Sequence, residues 1–263
     1  MQAQKVTDHI VNWLKTYAQN ARMDGFVVGV SGGIDSGVTS TLCAMTGFEV
    51  LCVEMPIHQA ASQVNRAKEH IEQLKERFPN VSSHEVDLTP VFEEFKSQTP
   101  EVKDDRLLDL SLANTRARLR MTTLYYFAGL KRYLVCGTGN KVEDFGVGFY
   151  TKYGDGGVDV SPIADLLKSE VYKVGAHIKV PTAIMQAAPT DGLFGDSRTD
   201  EDQIGASYDE LEWAMNMQEI GKHEDDFEGR KKEVFILYCR LNAANQHKMN
   251  PIPVCEIPEE YKV

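Results

Sequence analysis

Ser31-Gly32-Gly33-Ile34-Asp35-Ser36 is the densest group of chemically capable residues in the sequence. Gly32 and Gly33 have no Cβ, so their backbone N–H groups can close on a phosphate oxygen. Ser31 and Ser36 add hydroxyl donors, and a helix starting beyond them adds partial positive charge. Asp35 would repel a bare phosphate; its presence makes sense when a divalent cation sits between the two. No Gly-Lys-Ser/Thr follows the glycines, so this is not the Walker loop. A Gly-Gly turn after a strand is also an ordinary tight turn. The serines on both sides, the Asp at that offset and the strand before it favour the phosphate.

A second group is Gly137-Thr138-Gly139-Asn140-Lys141-Val142-Glu143. In a doubly wound sheet the carboxyl ends of the strands share one ligand crevice, so Asp35 and Glu143 are placed to share one magnesium ion. Taken alone, Glu143 is a solvated carboxylate at a helix start; the first loop changes that reading. Thr151-Lys152-Tyr153-Gly154-Asp155-Gly156-Gly157-Val158-Asp159 combines tight backbone with polar contacts, or is a flexible surface hairpin. Lys168 falls near a helix start, mildly against the dipole; spacing alone leaves open whether it faces solvent or has a task. Arg116 and Arg120 stand four apart on a helix and share a face. Guanidinium pairs suit carboxylate or phosphate, and they also decorate solvated helix faces.

The elements that position these residues alternate. Val6, Ile10, Trp13, Leu14, Tyr17 and Ala21 recur at helical spacing and predict an opening helix. The apolar run 26–30 reads as a buried parallel strand, followed by the loop and a helix to Thr46 that Gly47 ends. Residues 50–55 form a second strand, Ser62 caps a helix to Phe78, and 84–88 form a short third strand. The polar segment 97–105 is a surface loop. A long helix over 107–130 and a strand over 133–136 follow. Residues 146–159 are Gly-rich and aromatic, and loops of that length in compact domains are usually functional or disordered. Helices are expected over 169–178, 207–220 and 226–245. This alternation predicts an α/β fold: a doubly wound, mostly parallel sheet flanked by helices, with a helical C-terminal portion. With no repeat or linker, one domain over 1–263 is expected.

Composition bounds the rest. The 263 residues suffice for a well-buried core, and 42% hydrophobic with 25% charged residues is the balance of a globular protein. No apolar run approaches the ~18 residues of a membrane span, and residues 1–9 lack a signal-peptide core. Cys43, Cys52, Cys136, Cys239 and Cys255 are scattered without a C-x-x-C pair, as in a reducing, cytoplasmic setting. The net charge of −11 disfavours a nucleic-acid surface.

With these motifs in this order, the chain resembles the ammonia-dependent NAD synthetases of the adenine-nucleotide α-hydrolase-like superfamily, whose fold is Rossmann-like. The resemblance spans nearly the whole chain: the Gly29 to Ser36 loop, of the pyrophosphatase type that breaks ATP between its α- and β-phosphates; Asn114 to Met121; Gly137 to Glu143; Thr151 to Asp159; Pro189-Thr190; Thr199-Asp200-Glu201 before Gly205 and Tyr208; and His247-Lys248. The Thr-Lys-Tyr-Gly-Asp-Gly-Gly stretch is the most specific. The resemblance implies that Gly29, Val30, Ser31, Gly32, Gly33, Ile34, Asp35, Ser36, Thr138, Lys168 and Thr190 hold ATP. It implies that Asp35 and Glu143 bind Mg2+. It further implies that Arg116, Lys152, Asp159, His247 and Lys248 hold nicotinic acid adenine dinucleotide (deamido-NAD), and that Asp155 stands near the incoming ammonia. Asp155 and Lys168 are thus the expected catalytic residues. Three positions depart from the family pattern: Glu143 to Thr151 is one residue longer than in some members, Met249 follows Lys248 where Arg is common, and Phe194 stands where Trp is frequent.

The implied reaction joins ammonia to the nicotinate carboxylate through an adenylate. The resemblance also implies a homodimer in which Arg116 reaches the partner's dinucleotide site. The apolar positions of 107–130 cover more than one stripe, as a helix buried on several faces requires; burial within its own subunit would satisfy the same pattern. Two other readings remain: a tRNA thiolation enzyme, disfavoured by the charge and the absence of paired cysteines, and a nucleotide sensor, which need not keep Asp35, Glu143 and Lys168 together.

Overall fold

The computed structural model describes residues 1–190 and 199–262. Four parallel strands, β1 (Gly25–Gly29), β2 (Glu49–Glu54), β3 (Val81–Glu85) and β4 (Tyr133–Val135), form a sheet of order β3-β2-β1-β4. β1 pairs Val27 with Leu51 on one side and with Val135 on the other. The strand order therefore reverses at β1, and the chain segments leaving β1 and β4 diverge to open a crevice beyond their carboxyl ends. A parallel bridge between Cys136 and Val160 continues the β4 edge.

Alternate strand residues face opposite layers, because successive Cβ atoms point to opposite sides of a pleated strand. Phe26 and Val28 pack with α1 (Ala3–Ala21), α2 (Ile34–Met45), α3 (Ala61–Arg77) and α6 (Lys168–His177) through Leu14, Val38, Leu42, Ile71 and Val171. Val27, Leu51 and Val53 pack with α4 (Thr89–Ser97) and α5 (Asp105–Lys131) through Phe92, Leu112 and Ala128. Beside this sandwich stands a third apolar cluster. Leu211 and Met215 of α9 (Tyr208–Glu219) meet Phe235 and Tyr238 of α10 (Gly229–Met249), together with Val142 and Val147. Short helices α7 (Thr182–Met185) and α8 (Asp200–Ile204) complete the described chain.

The expected doubly wound sheet with its helical C-terminal portion is present. Four local expectations are corrected. Helix α3 begins at Ala61 after an extended Ala60, so Ser62 does not cap it. Strand β3 lies three residues earlier than predicted, because its edge position leaves Val81-Ser82-Ser83-His84-Glu85 with little apolar signal. Val86 and Leu88 nevertheless donate to the carbonyls of Glu54 and Pro56 beyond the ladder. Helix α4 was not expected; Pro90 opens it at a position where the missing N–H costs nothing. Residues 142–147 form a π-helical turn, which takes in the first two residues of the loop expected over 146–159. The cysteines are all free thiols: Cys43, Cys52 and Cys136 are buried, Cys239 is half-buried and Cys255 exposed. Among the described residues no helix is long and apolar enough to cross a membrane.

Candidate active site

The glycine turn after β1 is held by its own serines. Ser36 Oγ accepts from the backbone N–H of Ser31 at 3.2 Å, lies 3.1 Å from Ser31 Oγ and donates to the Gly33 carbonyl at 3.1 Å. Gly32 has φ +81°, and a Cβ there would stand 2.6 Å from the Gln63 carbonyl of α3. Only glycine fits, in both conformation and space. Gly33 is the extended residue before α2, so Ile34, Asp35 and Ser36 form the first helical turn, where N–H groups are left unbonded. The turn opens into a cavity of 280 Å³ at the sheet's switch point.

Of the residues expected to hold ATP, Gly29, Val30, Ser31, Gly33, Ile34, Asp35, Ser36, Thr138, Lys168 and Thr190 line this cavity, while Gly32 supports it from behind. Lys168 is 3% exposed, and its Nζ donates to Asp35 Oδ2 at 2.6 Å and to Glu143 Oε1 at 2.9 Å. Three elements thus converge: α2 brings Asp35, the turn after β4 brings Glu143, and α6 brings Lys168. Asn140 joins two of them, because its Nδ2 donates to Asp35 Oδ1 while its Oδ1 accepts from the N–H groups of Val142 and Glu143. A lysine at a helix start opposes the dipole. Here Glu212 of α9 accepts from both the N–H and the hydroxyl of Ser169, at 2.8 Å each, and anchors that helix start. Burial alone would lower the Lys168 pKa; Asp35 and Glu143 together reverse that and raise it, so the ammonium stays charged. Burial pushes the Asp35 carboxyl up against the pull of Lys168. At Glu143 the lysine and a tyrosine overcome burial and hold the carboxyl down.

That tyrosine is Tyr208, at the start of α9. Its hydroxyl donates to Glu143 Oε1 at 2.5 Å, lies 3.2 Å from Asp200 Oδ2, and its ring faces the Lys168 ammonium at 4.6 Å. The sequence carries no local signal for this contact, since Tyr208 follows Glu143 by 65 residues. Asn140 had such a signal, lying between Thr138 and Glu143.

Asp155 also lines the cavity. Its Oδ1 accepts from the Thr151 N–H at 2.9 Å, and burial raises its pKa to about 6. The five residues expected to hold deamido-NAD lie outside the cavity wall. Asp159 accepts from the Val135 N–H at 2.8 Å and the Tyr125 hydroxyl at 3.0 Å, which ties its loop to β4 and α5. Lys152 donates to the His247 carbonyl, and Lys248 donates to the carbonyls of Gly148 and Tyr150 at 2.8 Å each. These three therefore cluster where α10 meets residues 148–152. Arg116 sits elsewhere, its guanidinium 4.2 Å from the Phe92 ring centre. Arg120 turns into the cavity and donates to the Met55 carbonyl at 3.0 Å, so the two arginines do not act as a pair. Phe194 lies outside the described residues.

Comparison with known proteins fits this geometry. The model of the NAD synthase family matches residues 6–252. The NH(3)-dependent NAD(+) synthetase of Mesoplasma florum is 38% identical over 219 residues, 81% of this chain and 84% of the relative. That of Methanosarcina acetivorans is 33% identical and covers 98% of this chain and 100% of its own. Among solved structures, the NMN synthetase of Francisella tularensis superposes with a TM-score of 0.85 at 29% identity, over 98% of this chain and 100% of that one. A family match over most of the length, with relatives above 30% identity aligned nearly end to end, leaves one conclusion: the chain belongs to the NAD synthase family.

Proposed function

We propose that this protein is an ammonia-dependent NAD synthetase: it amidates deamido-NAD with ammonia at the expense of ATP and releases NAD, AMP and pyrophosphate. The observation that carries the reading is the convergence of Asp35, Glu143 and Lys168 at the mouth of the glycine turn, in a chain whose relatives carry that activity in their names. We read the matched span as one catalytic domain.

In the first step an oxygen of the nicotinate carboxylate attacks the α-phosphorus of ATP. The bond from that phosphorus to the bridging oxygen breaks, and pyrophosphate leaves with the electron pair. The N–H groups of the Gly32–Ser36 turn and the start of α2 hold the phosphates. Asp35 and Glu143 would hold Mg2+. They fit it, because one Lys168 ammonium already sits within hydrogen-bond reach of both carboxylates, the spacing that one shared cation requires. Bound there, the metal would neutralise phosphate charge. Lys168, displaced from the pair, reaches the leaving pyrophosphate and stabilises its developing charge. In the second step ammonia attacks the carbonyl carbon of the adenylate, AMP leaves with the C–O electron pair, and Asp155 accepts a proton from nitrogen. Arg116, Lys152, Asp159, His247 and Lys248 would bind the dinucleotide outside the cavity. Because Arg116 stands apart from the cluster of Lys152, His247 and Lys248, we infer a homodimer in which it serves the partner's site.

A second reading has its own support. The structure that superposes at 0.85 is called an NMN synthetase, and the acid corresponding to that product is nicotinate mononucleotide. Exchange of labelled pyrophosphate into ATP separates the readings. Exchange that depends on deamido-NAD, with NAD formed when ammonium is added, is the expected result. Exchange with the mononucleotide alone would establish the second reading, and exchange with neither acid would overturn both. In the same assay Lys168→Ala should reduce exchange far more than it weakens binding of the acid, because its charge matters most as pyrophosphate leaves.

A further inference from the structure

The peptide that joins Gly32 to Gly33 is the link of the turn with the least steric restraint. Neither residue has a Cβ, so little opposes a rotation of the whole unit that would exchange the directions of its carbonyl and its N–H. The two directions differ in sign at a phosphate. With the N–H towards the cavity the unit attracts an anion; with the carbonyl there it repels one.

Both ends of this unit are bonded. The Gly33 N–H donates to Ser31 Oγ at 3.3 Å, and both residues line the cavity. The Gly32 carbonyl points the other way, as a trans peptide requires, and accepts from Arg66 Nε at 3.3 Å. Arg66 lies in the second turn of α3, where that helix runs close behind the glycines. A Cβ on Gly32 would stand 3.1 Å from the Ala67 nitrogen and 3.3 Å from the Arg66 Cβ. Arg66 is half-buried and is not among the residues that line the cavity. Among the described residues its guanidinium makes this one hydrogen bond and no ion pair. No carboxylate draws it away from the turn, and a charged donor makes the stronger bond to a neutral carbonyl.

We propose that Arg66 is a positioning residue for the glycine turn: its guanidinium holds the Gly32 carbonyl on the α3 side and so keeps the Gly33 N–H directed at the phosphates of ATP. This rests on the reading above that the turn binds ATP. The two restraints differ in what a ligand does to them. A phosphate oxygen competes with Ser31 Oγ for the Gly33 N–H, because both are acceptors on the cavity side. The Arg66 bond lies on the side that the ligand does not reach, so it persists when ATP is bound.

The test is direct calorimetric binding of ATP, pyrophosphate and adenosine to the full chain and to Arg66→Met, which keeps an apolar stem and removes the donors. Arg66→Ala is a second variant in case the first misfolds. ATP and pyrophosphate should bind about tenfold more weakly or worse, the scale of a lost charge-assisted hydrogen bond, and adenosine as in the wild type. Guanidinium ion, at a concentration that leaves the wild type folded, should restore part of the ATP affinity of Arg66→Ala. ATP bound as tightly by the variants as by the wild type would overturn the proposal. So would an equal loss for adenosine, which would show that the whole cavity is disturbed. Wild-type binding of ATP without exchange on either acid would instead overturn the amidation reading, and the comparison at Arg66 would still decide its role in the turn.

Discussion

At the scale of single residues, the buried charges are held in balance by two neutral donors, the Asn140 amide and the Tyr208 hydroxyl. Tyr208 gives Glu143 its second partner, and burial and the surrounding carboxylates raise its own pKa, so it donates without ionising. Hydrogen bonds to charged groups contribute about 1.5–3 kcal/mol. Tyr208→Phe keeps the ring beside Lys168 and removes only the donor. The variant should fold, lose about tenfold or more in turnover at fixed magnesium, and need a higher magnesium concentration for half-maximal exchange. A magnesium titration that overlays the wild type would show that the hydroxyl is only packing. Asp155 carries a second prediction. With its pKa at about 6, the amidation step should fall off as the solution drops below that pH and Asp155 takes up a proton. In Asp155→Asn, exchange should survive while this step is lost at every pH; loss of exchange itself would show that Asp155 acts earlier.

At the scale of elements, the glycine turn is only as well placed as the helices beside it. Helix α3 docks on α2 through a buried pair, His70 Nε2 and Ser40 Oγ at 2.8 Å, and Ser40 donates onward to the Ser36 carbonyl at 2.7 Å. Burial, helped by Arg77, lowers the His70 pKa from 6.5 to about 4. The folded state therefore resists a proton that the unfolded chain accepts. Above pH 6.5 both states are neutral and the term vanishes. As pH falls from 6.5 towards 4 the unfolded state gains the proton first, and stability drops by up to ~3 kcal/mol. His70→Gln keeps a donor for Ser40 and cannot titrate. Denaturant unfolding at pH 7.5 and 4.5 should show a smaller loss between the two pH values in the variant than in the wild type. Equal losses would mean that His70 is accessible to protons in the folded state.

At the scale of the whole molecule, helix α5 leaves apolar side chains in solvent. Leu107 is 58% exposed, Tyr126 62% and Leu130 65%, and Val91 and Phe95 of neighbouring α4 are exposed as well. The opposite face of α5 is buried against β1 and β4, so the apolar excess anticipated for this helix is satisfied by its own subunit on one face only. A second copy of the chain is the partner inferred for the other face. Arg116→Ala and Asp35→Asn, each inactive alone, should regain part of the activity when mixed and allowed to exchange subunits, because one composite site is then intact. A monomer in sedimentation at micromolar concentration, or no recovery after verified exchange, would remove the shared site.

The glycine turn after β1 was legible in the sequence because its constraints are local. Ser31, Gly32, Gly33 and Ser36 bond to one another, and glycine is the one residue that fits Gly32's left-handed conformation and its 2.6 Å approach to α3. The alternation of strands and helices was legible for the same reason, since periodicity is a property of neighbours in the chain. Periodicity names a face, not what covers it, and there the tertiary structure decided. It brought Lys168 between Asp35 and Glu143, set Tyr208 on the pair from a distant helix, and wound the residues after Lys141 into a π turn that carries Glu143. It also separated Arg116 from Arg120, which equal spacing on one helix had grouped, because each guanidinium follows its own tertiary partner: the Phe92 ring for one, the Met55 carbonyl for the other. A buried charge takes its protonation and its position from groups that are close in space, and the order of the chain does not specify which groups those are.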